Sequence, residues 1–182
     1  MANTSHSDIS SERTLLNPGA AMVRVVTGYL SADTYPGQWV WNDASNNQWD
    51  LLDADTATHN VSTAGICCYE KRVNQSTNAL ITIDSQWDQS ETGEKRAPIC
   101  ISGICVCFIV DQSGTVPAGR ELMPHATAGS VTARATEATG ATSGTALLKT
   151  AVGALAATVV TGDTIAIAGI GAFKGAIWGG PQ

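Results

Sequence analysis

A thirteen-residue pattern occurs twice in this chain, without gaps, at positions 82 residues apart. The first copy reads Gly37-Gln-Trp-Val-Trp-Asn-Asp-Ala-Ser-Asn-Asn-Gln-Trp49 and the second Gly119-Arg-Glu-Leu-Met-Pro-His-Ala-Thr-Ala-Gly-Ser-Val131. Both open on glycine, continue into an apolar pair (Val40-Trp41, Leu122-Met123), carry Ala44 or Ala126 and then Ser45 or Thr127, and close on an apolar residue, Trp49 or Val131. A turn residue releases the chain into a strand and a polar segment reverses it. Asn47 and Gly129 are the positions suited to the positive φ that such a reversal needs. The pattern is a β-hairpin used twice, and it carries no chemistry of its own.

The remaining segments agree with a β-rich chain. Residues 21–30 are dominated by β-branched side chains and read as a strand, followed by a loop with Pro36-Gly37 as its turn. Ala64–Tyr69 and Ala79–Ile83 read as strands, and residues 84–97, with Trp87, as a long polar loop. Residues 98–110 are almost continuously apolar, so both faces of that strand are expected to be covered. Gly103 inside it signals a bulge or a close backbone approach. Beyond residue 118 the chain turns rich in Ala, Gly and Thr. Leu147, Ala151 and Leu155 share helical spacing, so one short helix is expected over 144–157, with a strand or strand pair over Val159–Ile170 around the turn Thr161-Gly162-Asp163. The domain reading is an N-terminal arm at 1–20, a β-rich domain at 21–172 and a Gly-rich tail at 173–182, in which Phe173 and Trp178 are candidate anchors.

Composition narrows the function classes. Charged residues make up 14% of the 182 residues, well below the roughly 25% usual for soluble domains. So thinly charged a surface suits a protein partly covered by partners. The net charge is −6 and the ten Lys and Arg are scattered; without a cationic cluster there is nothing to displace counterions from phosphates, so neither nucleic acid nor an anionic membrane is an expected partner. Met1–Pro18 lacks the basic-then-apolar layout of a signal peptide, and no apolar run is long enough to span a membrane. The expectation is a protein made in the cytoplasm, with its five cysteines, an odd number, as free thiols in the core and the Asn3, Asn60 and Asn74 Asn-x-Ser sequences unmodified.

The second hairpin copy, Ser113–Val131, resembles a pattern in phage capsid cement (head decoration) proteins of the β-tulip type. Thr161-Gly162-Asp163-Thr164-Ile165-Ala166-Ile167 resembles their Gly-Asp-x-apolar-x-apolar strand. Ser62–Ile66 and Ile101–Ile104 resemble their glycine-bearing turn and strand. The resemblance spans residues 36–170. The tryptophans at 39, 41 and 49, the 84–97 loop, the expected helix and both tails depart from it. It implies a compact β-sandwich or β-tulip-like barrel with an extended N-terminal arm. It further implies a virion protein on the capsid exterior, binding the major capsid protein, forming a homo-oligomer with a trimer favoured, and stiffening the shell without catalytic residues.

Candidate chemistry is sparse. Cys105 and Cys107 share a strand face and Cys67-Cys68 are adjacent, but no Cys-x-x-Cys pair is present and no His stands at ligand spacing, so neither metal nor cofactor is expected. His6, His59 and His125 lie in polar segments without a nucleophile elbow, which argues against an enzyme. The tryptophans are the specialised feature. Trp39, Trp41, Trp49 and Trp87 are candidates for core, for an interface or for a sugar platform. As exposed residues they would suit the alternative, a carbohydrate- or receptor-binding β-module on a virion fibre or cell surface.

Overall fold

The computed structural model describes residues 2–9, 13–17, 19, 21–53, 63–74, 77–88, 96–110, 114–133 and 151–173. They form β1 (Arg24–Tyr29), β2 (Trp39–Asp43), β3 (Gln48–Leu51), β4 (Ala64–Cys67), β5 (Arg72–Val73), β6 (Leu80–Ile81), β7 (Arg96–Phe108), β8 (Glu121–Pro124), β9 (Val131–Ala133), β10 (Gly153–Leu155) and β11 (Ile165–Ile170). One helical turn, α1 (His6–Ile9), precedes them and one 3-10 turn, Gly171–Phe173, follows. The fold is mainly β, a nine-stranded sheet curled into a half-barrel. Its strand order is β3-β2-β4-β7-β11-β10-β8-β9, with β1 also on β7, and β5 and β6 form a separate two-stranded hairpin.

The two hairpins of the repeat share their register. In the first, Val40, Trp41 and Asn42 face Leu51, Asp50 and Trp49; in the second, Leu122, Met123 and Pro124 face Ala133, Thr132 and Val131. Both opening glycines and both turn residues are left-handed, Gly37 at φ 92°, Gly119 at 85°, Asn47 at 55° and Gly129 at 75°. In the first turn, the Asp43 carboxylate accepts the Ser45 N–H at 2.8 Å, so the polar segment closes on itself.

The repeat is larger than the hairpin. Gly65 of β4 lies opposite Val40 of β2, and Gly153 of β10 lies opposite Leu122 of β8. β4 then pairs with β7 through Ile66–Cys100 and Cys67–Ile99, as β10 pairs with β11 through Ala154–Gly169 and Leu155–Ala168. β1 runs against the first half of β7 from Val25–Cys100 to Tyr29–Arg96. The second half of β7 runs against β11 from Ile104–Gly169 to Phe108–Ile165. The 13-residue β7 therefore serves twice, as the last strand of one five-strand unit and the first strand of the next. This explains why residues 98–110 are apolar throughout: β7 is flanked on both sides, by β1 and β4 along its first half and by β11 and the Thr14–Asn17 segment along its second, with Val106, Cys105, Cys107, Ile99 and Cys100 fully buried. The register shifts where Arg24 and Val25 face β7, beside Gly103, whose added Cβ would lie 2.8 Å from the Cys100 Sγ. The close approach expected of Gly103 is found, while the extra residue of the irregularity is Ile101.

The N-terminal segment lies on this sheet. Val106 N–H donates to the Thr14 carbonyl and Leu16 N–H to the Ile104 carbonyl, each at 2.8 Å, while the Asn17 side chain accepts the Ile104 N–H. Farther out, Thr164 N–H donates to the Asn3 carbonyl. An apolar stripe is not what holds α1; buried His6 is.

Two expectations are corrected. Residues 153–155 of the expected 144–157 helix are strand β10, and 144–150 lie outside the described residues. Helical spacing loses here because Gly153 sits at a close approach of neighbouring backbone and ring: a Cβ there would lie 2.8 Å from the Gly169 carbonyl and 2.9 Å from the Trp39 ring. The 84–97 loop is shorter and less exposed than read, since β7 begins at Arg96 and Trp87 is buried, exchanging both backbone hydrogen bonds with Thr34. His59, Asn60 and Trp178 lie outside the described residues.

Candidate interface

The four tryptophans are interior. Trp39 is fully buried, and Trp41, Trp49 and Trp87 are 9%, 8% and 2% exposed. Period-two alternation places Trp39 and Trp41 on one face of β2, packed with Leu122, Leu155 and Cys107, while Val40 turns to the opposite cluster with Trp49, Trp87 and Ile99. As an interface they are corrected: the curled sheet wraps its own chain around the aromatic patch, and both faces use it as filling. Trp87 is also a structural pin. Its indole N–H donates to the Cys68 carbonyl at 3.1 Å, and the Arg72 guanidinium stacks 3.1 Å from its ring centroid.

The thiols are interior too. All five cysteines are free and buried. Burial pushes the Cys107 thiol up to about 12 and raises Cys67 as well. Cys68, Cys100 and Cys105 hydrogen-bond to one another. Bonding to Cys100 raises Cys105, whereas the bond from Cys105, seconded by Cys68, lowers Cys100. Among the described residues no group of three or more His, Cys, Asp or Glu is placed to hold a metal ion.

What the surface does offer is the β5–β6 hairpin. Val73 and Leu80 pair across it and remain 50% and 56% exposed. Its tip closes on Asn74, whose backbone carbonyl accepts the Asn78 N–H and whose side chain accepts the Thr77 N–H, each at 2.8 Å, with Asn78 at φ 57°. Its base is fixed by the Arg72–Trp87 stack. Sequence reading found β6 within 79–83 but missed β5. The available signal was Asn74 and Asn78 standing between Val73 and Leu80-Ile81, a turn flanked by strand formers. A second exposed apolar group, Met22, Val25 and Tyr29, lies on and just before β1.

One open cavity of about 360 Å³ is lined by Thr4, Ser5, His6, Tyr35, Asp84, Phe108 and Ile165. His6 is 3% exposed, stacks edge-on to Phe108 at 5.5 Å between centroids, and has Nδ1 3.5 Å from the Asp84 carboxylate. Desolvation lowers its pKa, with Asp84 opposing. The Nε2 atom is buried against Gly37, so this imidazole is a plug for α1 and not an open base. His125 has Nδ1 occupied by the Thr127 N–H in its own turn. No helix among the described residues is long and apolar enough to cross a membrane.

No family model matches the chain, and no curated protein does. Over 93% of its length and 98% of the other chain, with 17% identity and a TM-score of 0.50, the fold is similar to a chain in the structure titled "The capsid of Myoviridae Phage XM1".

Proposed function

We propose that this chain is a structural protein of a phage virion, seated on the outside of an assembled capsid and cementing it. The observation that carries the reading is the likeness over nearly the whole of both chains to a chain of a phage capsid structure. Two features support it. The charged fraction is only 14%, and the described surface carries paired apolar residues on a hairpin pinned at its base. A rigid, half-exposed pair such as Val73 and Leu80 is the kind of anchor a protein partner covers. The partner in this reading is the major capsid protein, and the homo-oligomer, with a trimer favoured, comes from the resemblance to β-tulip cement proteins. The carbohydrate-binding alternative rested on exposed tryptophans, and these are buried.

The test is to mix the purified chain with capsids lacking it and measure saturable binding and shell resistance to heat. Binding with a fixed number of sites, weakened at least tenfold by Val73→Lys with Leu80→Lys, is expected. No saturable binding to any shell form would end the cement reading; unweakened binding by the double variant would move the contact elsewhere.

A further inference from the structure

The two five-strand units are closed rings. In the first the strands run β1-β7-β4-β2-β3, and the ring closes where Leu30 bridges Trp49. In the second they run β7-β11-β10-β8-β9, and the ring closes where Ile109 bridges Val131. The N-terminal segment is part of neither ring. It lies along the second half of β7, on the side away from β11, with Leu15 bridging Cys105 antiparallel. Its hydrogen-bond partners belong to the body of the fold. They are the Ile104 carbonyl and the Ile104 and Val106 amides of β7, the Tyr69 amide, which donates to the Thr14 hydroxyl at 3.1 Å, and the Thr164 and Ile165 amides, which share the Asn3 carbonyl.

The joint between this segment and β1 is longer than its docking requires. Asn17 bonds Ile104 and Arg24 lies opposite Ser102, so the chain takes seven steps where β7 takes two. Two strand steps cover about 7 Å, whereas seven extended steps reach about 23 Å. Gly19, Ala21 and Met22 of the joint are exposed, and a Cβ on Gly19 would meet nothing within 4 Å. The segment itself is firmly seated: Thr14 and His6 are 1% and 3% exposed, and Leu15 packs against the core. A well-seated strand on a long, thinly packed joint, docked on a surface that every copy of the chain carries, has the construction of an exchangeable element.

We infer that the N-terminal segment is exchanged between copies of this chain, each copy laying it along the second half of β7 of a neighbour in the register it adopts within one chain. The contacts made are the same in both arrangements, so exchange leaves no buried group without its partner. Only the joint changes, by straightening. The balance is therefore set by concentration. A lone copy keeps its own segment, and copies held side by side, where the effective concentration is high, trade segments. The donated strand and the surface that receives it are different parts of the chain, so exchange runs head to tail and closes a ring of two or three copies. The inference goes beyond the capsid reading and does not depend on it, because its test uses the free chain.

The Thr164 hydroxyl donates to the Thr4 carbonyl at 3.4 Å, so side chains at these two positions meet only where a segment is docked. A Thr4→Cys chain mixed at high concentration with a Thr164→Cys chain, with copper–phenanthroline as oxidant, should give a mixed, reducible dimer. Deleting residues 19–22 leaves three steps between Asn17 and Arg24, about 10 Å. That is enough for docking within one chain and too short to reach a neighbour. In this shortened background the mixed dimer should be lost, with circular dichroism unchanged. Sedimentation reads the same event without added cysteines: concentrated wild type should show species of two or three copies, and the shortened chain only monomer. The inference is overturned if the shortened and full-length chains sediment alike, or if the mixed dimer forms as readily in the shortened background. It is overturned equally if no mixed dimer forms while a chain carrying both Thr4→Cys and Thr164→Cys closes on itself.

Discussion

Gly65 and Gly153 hold the same place in the two halves of this fold: each lies opposite the first apolar residue of the repeated pair in its hairpin, Val40 for one and Leu122 for the other. Neither has room for a side chain. A Cβ on Gly65 would lie 2.5 Å from Ile99, and one on Gly153 would lie 2.8 Å from the Gly169 carbonyl. Neither neighbour can give way: the Ile99 methyl sits on the branched Cβ of a fully buried side chain with the Cys100 carbonyl at 3.0 Å, and the Gly169 carbonyl is fixed by the ladder. Gly153→Ala and Gly65→Ala are therefore each expected to lose about 2–3 kcal/mol, at the upper end for overpacking. Gly19→Ala, with nothing within 4 Å, is expected to be close to neutral. Urea midpoints at constant slope measure all three.

Trp39 is core, so its loss is expected to act on stability first. Trp39→Ala is expected to cost about 3–5 kcal/mol, and Trp39→Phe less. Shell binding by the folded fraction should be unchanged. An affinity loss without a shift in the unfolding midpoint would return the residue to the interface.

The N-terminal turn is expected to loosen in mild acid. Burial holds the folded-state pKa of His6 below the ordinary value of 6.5, so the unfolded or undocked segment binds more protons as pH falls through that value. Docking is complete above pH 6.5 and is lost progressively below it. The Asp84 carboxylate opposes the loss only in part, since it is 55% exposed. Hydrogen exchange at Thr164 and Ile165, whose amides bond Asn3, should speed up between pH 7 and 5 in wild type. The same profile should flatten in His6→Gln.

The thiols are expected to be silent in the native protein. With all five buried and free, none should react rapidly with a thiol reagent at neutral pH, and all five should react in denaturant. A fast native thiol would mean that the seam between β4 and β7 opens readily.

The sequence by itself determined the β class, the two hairpins, their left-handed turn positions at Asn47 and Gly129, and the double burial of residues 98–110. These are local consequences of side-chain period, turn chemistry and glycine's freedom at positive φ. Only the tertiary structure decided which way the aromatic patch faces. Alternation puts Trp39 and Trp41 on one side of a strand, but the curl of the sheet makes that side the inside. It also decided that 153–155 is strand, because the packing of Gly153 against Gly169 outweighs a helical spacing of Leu and Ala. That β7 is shared between two units, and that β1 meets β3 through Leu30 and Trp49, depends on pairings between residues distant in sequence. No local pattern in the chain records them.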